Sequence, residues 1–90
     1  MSEIIENKLL SLLLEFHGKI PNERYDNTKD LIVHNEGVIA FENLCDNLFE
    51  YAVPIQSTTF FKIKSLAEQM HVSPKRWSFL EKNLIEPNAG

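Results

Sequence analysis

Apolar residues return with helical spacing along almost the whole chain, and the breaks between the runs are short. In the first run Ile5, Leu9, Leu12, Leu13 and Phe16 form one stripe, and Leu10 and Leu14 widen it past half the circumference. Ser2 stands at an N-cap position, Glu3 and Glu6 fall in the first turn, and Gly18 follows His17, so a helix from Ser2 to His17 is predicted. So broad an apolar face predicts either a central helix covered on two sides or one that meets a second chain. Tyr25, Thr28, Leu31 and Ile32 form a weaker pattern and predict a second helix from about Asn22 to His34.

The third run, Glu36 to Ala52, separates its two faces most sharply. Val38, Phe41, Leu44, Cys45, Leu48, Phe49 and Ala52 fall in one arc, predicted as core. Glu42, Asp46 and Glu50 follow one another at i, i+4 on the opposite flank, beside Asn43 and Asn47. The segment contains no lysine or arginine, and like charges at i, i+4 cost a helix a few tenths of a kcal/mol per pair. Ile39 projects into this acidic face and Tyr51 lies at its margin, which adds apolar and aromatic contact groups to the charge.

The corner His34-Asn35-Glu36-Gly37 leads into this helix, and Val53-Pro54 ends it, because the residue before proline favours extended geometry. A fourth helix is predicted over Ser57 to Met70, with Phe60, Ile63, Leu66, Ala67 and Met70 inward. Thr58-Thr59-Phe60-Phe61 also suits a strand, but the helical spacing continues beyond strand length. Ser73-Pro74 supplies an N-cap and a proline at the first helical position, predicting a last helix to about Leu84 with Trp77, Leu80 and Leu84 inward. Glu86 to Gly90 reads as a tail. Five short helices with brief connections predict a single all-α domain, a compact bundle spanning residues 1–90.

Composition narrows the class. With 90 residues, 43% hydrophobic and 24% charged, the chain suits one small globular domain with a shared core and no deep cleft. The net charge of −4 is unevenly placed: residues 1–53 carry 4 basic and 10 acidic side chains, and residues 54–90 carry 5 and 3. The single cysteine, Cys45, excludes an intrachain disulfide and lies on the apolar arc. A signal peptide needs a basic lead, whereas Glu3 and Glu6 precede the Leu9–Leu14 run, and no run reaches the length of a membrane span. A cytoplasmic location is expected.

Candidate chemistry is sparse. His17, His34 and His71 are far apart and match no metal-ligand spacing, the glycines form no phosphate loop, and exposed carboxylates at helical spacing lack the burial that general acid chemistry needs. No enzyme activity, cofactor or metal is expected. Residues Ser65 to Trp77 resemble a helix-turn-helix, with Lys75, Arg76 and Lys82 placed for phosphates. A small DNA-binding regulator using residues 65–84 is therefore an alternative reading. Against it stand His71 at the turn position usually held by glycine and the negative charge of the whole chain.

The run His34-Asn35-Glu36-Gly37, the segment Ala40-Phe41-Glu42-Asn43-Leu44-Cys45-Asp46-Asn47-Leu48-Phe49-Glu50-Tyr51 and the late Trp77-Ser78-Phe79-Leu80 together resemble the MafI-type immunity proteins. These are small cytoplasmic proteins of bacterial polymorphic toxin and contact-dependent growth inhibition systems. The resemblance implies a non-enzymatic inhibitor that binds the toxic C-terminal domain of a partner protein. Such a domain is often a nuclease, here more plausibly an RNase, with a basic groove that an acidic surface complements. The expected partner is then a basic protein, not nucleic acid or membrane, and the chain a monomer or weak homodimer. Candidate contacts are Ile39, Glu42, Asn43, Asp46, Asn47, Glu50 and Tyr51. Asp26, Asp30 and Glu36 join them in case the carboxylates of the shared motif serve the family fold.

Overall fold

The computed structural model describes residues 1–85; the tail expected at Glu86–Gly90 lies outside them. Four α-helices follow one another, α1 (Glu3–Leu14), α2 (Asn22–Val33), α3 (Gly37–Glu50) and α4 (Ser57–Gln69). A 3-10 turn over Pro74–Arg76 and a 3-10 helix over Ser78–Asn83 complete the described chain. The all-α bundle expected from the spacing is present, with α1 packed against α2, α3 and α4, and α3 held between α1, α2 and the final 3-10 helix.

The starts of the helices follow the expected chemistry. Ser2 Oγ accepts the Ile5 backbone N–H at 3.1 Å and satisfies one of the orphan donors of α1. The chain then tightens through 3-10-type bonds over Glu15–His17, and Gly18 turns it at φ +82. Ser73 caps the turn at Pro74 as its sequence suggests.

The C-termini of α2, α3 and α4 share one device. In each the residue after the C-cap takes a left-handed conformation, Asn35 at φ 64, Ala52 at φ 48 and His71 at φ 59. The next two N–H groups reach back in pairs: Asn35 to Ile32 and Glu36 to Leu31, Ala52 to Phe49 and Val53 to Leu48, His71 to Glu68 and Val72 to Ala67. This is the Schellman closure, and in α3 and α4 it tucks a valine, Val53 or Val72, into the core. Glycine normally fills such positions, and a Cβ there costs roughly 1–2 kcal/mol.

The core runs from Leu9, Leu13 and Phe16 through Phe41, Leu44 and Leu48 to Ile63, Leu66 and Leu80. Several expectations for its margin need correction. Val38, Phe49 and Ala52, assigned to the core arc, are exposed, because the neighbours of α3 cover a narrower sector than the full apolar arc. Leu14 is 66% exposed and Leu10 half-buried, so the wide face of α1 is only partly covered. The last helix does not form as an α-helix. Trp77 and Leu80 are buried as expected and Leu84 is half-buried, but the segment bends at Trp77 into two 3-10 pieces.

That bend lets the end of the chain clamp the end of α3. The Asn83 side-chain amide donates to the carbonyls of Leu48, at 2.8 Å, and Val53, at 3.0 Å. The Asn83 backbone carbonyl accepts from Ile55 N–H, and Ile85 N–H donates to the Ile55 carbonyl, an isolated parallel bridge between Ile55 and Leu84. Sequence spacing carried no sign of this contact. Asn83→Ala removes the side-chain donor from the Val53 carbonyl and one of two donors from the Leu48 carbonyl, which keeps the Val53 N–H, and is expected to lower unfolding free energy by about 1–2 kcal/mol in urea titrations. Ala52→Gly relieves the left-handed alanine and is expected to raise it by about 0.5–1 kcal/mol in the same assay.

Candidate functional site on the outer stripe of the third helix

At about 100° per residue, the buried residues of α3 (Gly37, Ala40, Phe41, Leu44, Cys45, Asn47 and Leu48) span an arc of roughly 160°. What remains is one continuous outer stripe. Ile39, Asp46, Phe49 and Glu50 are exposed on it, and Glu42 and Asn43 are half-buried along it. Tyr51, 40% exposed, stands at its C-terminal end, and Phe49, 45% exposed, meets Phe79 edge-on at 5.2 Å. At the N-terminal end the stripe opens into a shallow depression of about 490 Å³, where Glu36, Val38 and Ile39 face Met1, Ile5 and Met70. Gly37 sits beside it because a Cβ there would run into the Met1 side chain.

The carboxylates are not equally free. Arg76, from the 3-10 turn, donates to Glu42 at 2.8 Å, and Arg24 of α2 lies 3.9 Å from Glu50. The basic groups missing from the α3 sequence are thus supplied from elsewhere in the chain and relieve the like-charge spacing. Asp46 makes no ion pair among the described residues and is the most available negative charge on the stripe. The hydrogen bond from Arg76, together with its charge, holds the Glu42 carboxyl below its ordinary value despite partial desolvation.

Two groups of expected contacts are relocated. Asn47 is 2% exposed and donates its amide to the Asn43 carbonyl and Oδ1 at 3.0 and 3.1 Å, so it holds the helix under the surface and does not present itself to a partner. Asp26 and Asp30 are exposed, but lie about 120–160° around α2 from Arg24, the residue that reaches the α3 stripe. They form a separate face. Glu36 and Ile39 do join the stripe, through the depression.

Other candidate chemistry is dispersed. Among the described residues no three His, Cys, Asp or Glu side chains are grouped to hold a metal ion. Cys45 is buried, and that burial, with Asp46 and Glu42 nearby, pushes its thiol far up and leaves it unreactive. In the helix-turn-helix segment, α4 is followed only by two short 3-10 pieces, Pro74–Arg76 and Ser78–Asn83, and Arg76 is engaged with Glu42. No recognition α-helix follows the turn. Also among the described residues, no helix is long and apolar enough to cross a membrane.

The feature that spacing could not reveal is a cross-brace on the far side of the bundle. Thr59 Oγ1 and Lys62 Nζ donate to the two Glu15 carboxylate oxygens at 2.8 and 2.9 Å, tying the end of α1 to the start of α4. Burial pushes the Glu15 carboxyl up, but the Lys62 and Thr59 hydrogen bonds and the charges of Lys62 and Lys19 outweigh it and the net shift is downward.

Comparison with known protein families, with curated proteins and with solved structures finds no match to the chain. Function must therefore be argued from the surface itself.

A depressed folded-state carboxyl stabilises the protein above its ordinary pKa, and that contribution is lost as pH falls through the folded value. Stability of the parent is thus expected to decline below the ordinary carboxyl value of 4.5, and Glu15→Gln to flatten that decline in unfolding curves measured across the acid range. An unchanged acid slope in Glu15→Gln would show that the brace contributes nothing.

Proposed function

We propose that this chain is a small immunity-type inhibitor that binds a basic protein domain through the outer stripe of α3. The observation that carries the reading is the company the charge keeps. Asp46 and Glu50 lie on the same exposed helix face as Ile39 and Phe49, and Tyr51 is exposed at the C-cap about 100° round from Glu50, so a partner there gains apolar and aromatic contact as well as ion pairing.

The division of labour follows from the physics of association. Exposed carboxylates accelerate encounter with a basic partner and lose that effect in salt, while desolvated aromatic and aliphatic contacts slow release. A nuclease domain is a fitting partner, because a groove that holds phosphates is lined with lysine and arginine and an acidic helix can occupy it or its rim. An RNase toxin domain is the favoured case. The likeness of Ala40–Tyr51 and Trp77–Leu80 to MafI-type immunity proteins supports the same reading. Inhibition is then by occupancy, with no chemistry required of this chain.

The test is co-expression with the variable C-terminal domain of a large secreted protein encoded beside this gene. The parent is expected to restore growth and to bind the purified domain. Asp46→Lys with Glu50→Lys is expected to slow association by roughly tenfold at low salt and to reduce its salt dependence. Phe49→Ser is expected to act mainly on dissociation. Full protection and unchanged binding by all of these variants would remove the stripe as the interface.

A further inference from the structure

The outer stripe of α3 is not simply acidic, because two other elements send a guanidinium group onto it. Arg24 of α2 lies 3.9 Å from Glu50, and Arg76 of the 3-10 turn donates through Nη2 to Glu42 Oε1 at 2.8 Å. Both arginine side chains remain half exposed, at 49% and 55%, so each still faces solvent beside the carboxylate it pairs with. Glu42 and Glu50 stand two turns apart, about 12 Å along the helix axis, and Asp46, which makes no ion pair among the described residues, lies midway between them. Three carboxylates and two guanidinium groups thus share one surface. The single negative charge without a counterion is the central one.

We infer that Arg24 and Arg76 set the specificity of this surface: they turn away a uniformly basic chain and admit a protein surface on which one lysine or arginine, opposite Asp46, stands between carboxylates that meet the two guanidinium groups. This rests on the stripe being the binding face. The partner is then not any basic domain but one with a mixed row of charge at the contact itself. An arginine tied through one nitrogen keeps most of its five N–H donors for a second carboxylate. Glu42 also holds Arg76 in place before a partner arrives, so less side-chain freedom is lost on docking. Exposed ion pairs contribute little to folding, so the two arginines matter more for what approaches the helix than for the helix itself. A lysine-rich chain laid along α3 meets one cation at each end of the run, and like charges brought together across an interface suppress wrong partners. Within the nuclease reading, the rim of a phosphate groove suits this pattern better than its uniformly basic floor.

Two probes test this, a decalysine peptide and a basic toxin domain whose growth inhibition the chain relieves on co-expression. In amide-shift titrations at low salt, decalysine is expected to bind the parent weakly and the double variant Arg24→Gln with Arg76→Gln about fivefold more tightly, with the shifts centred on Asp46. Adding Asp46→Asn is expected to abolish that gain. From the toxin domain, the double variant is expected to dissociate roughly tenfold faster than the parent, with its urea midpoint unchanged because both arginines are exposed. Decalysine binding the parent on α3 as tightly as it binds the double variant, or a double variant that holds the toxin domain as well as the parent does, would overturn the inference. A parent that binds no such domain would remove the proposed function and the partner with it, while the decalysine comparison still decides whether the arginines turn away a polycation.

Discussion

The inner arc of α3 is the constraint on which the molecule depends. Phe41, Leu44, Cys45 and Leu48 are essentially inaccessible to water, and α1, α2 and the final 3-10 helix all pack on the same helix. Truncating a buried phenylalanine such as Phe41 costs on the order of 3–5 kcal/mol, a large share of the stability of a domain this small. Because those neighbours meet on one side, they determine what is left on the other. The exposed stripe is the part of α3 that they leave largely uncovered, reached only by the side chains of Arg24, Arg76 and Phe79.

Closing that arrangement requires the chain to reverse direction in few residues. Left-handed residues at Asn35, Ala52 and His71 end three helices abruptly, and none of them is glycine. The conformational cost is offset by the paired backbone bonds and, after α3 and α4, by the buried valines Val53 and Val72. Asn83 then fastens the final segment to the carbonyls at the end of α3. The same 3-10 geometry carries Arg76 to Glu42, so one local departure from α-helix serves both the closure and the charge pattern of the stripe.

Much of this was legible in the residues themselves. Ser2, Gly18 and Ser73-Pro74 announce their turns through side-chain chemistry, and the inward residues of α1 to α4 follow from period alone. Other features depend on what lies across space. Val38 and Phe49 are apolar and in phase, yet Val38 is left exposed and Phe49 is met only edge-on by Phe79. Asn47 was in phase with the acidic face, but α2 packs tightly enough on α3 to bury it. The contacts of Arg76 and Asn83 span 30 to 35 residues. His71, whose lack of glycine character counts against the DNA-binding reading, adopts the glycine-like conformation regardless, because the backbone bonds and Val72 hold it there.

Two surfaces with different chemistry emerge, an acidic stripe with apolar contacts on α3 and a groove between α1 and α4 lined by Leu12, Phe61 and Leu66 with Lys8, Lys62 and Glu15. The central claim is that the stripe receives the partner. Amide chemical-shift mapping of the isotope-labelled chain, titrated with a basic toxin domain whose growth inhibition the chain relieves on co-expression, tests it most directly. Perturbations concentrated at Ile39, Asp46, Phe49, Glu50 and Tyr51, extending to Arg76 as its ion pair is disturbed, are the predicted result. A complex that forms with α3 undisturbed and its shifts confined to α1 and α4 would contradict it.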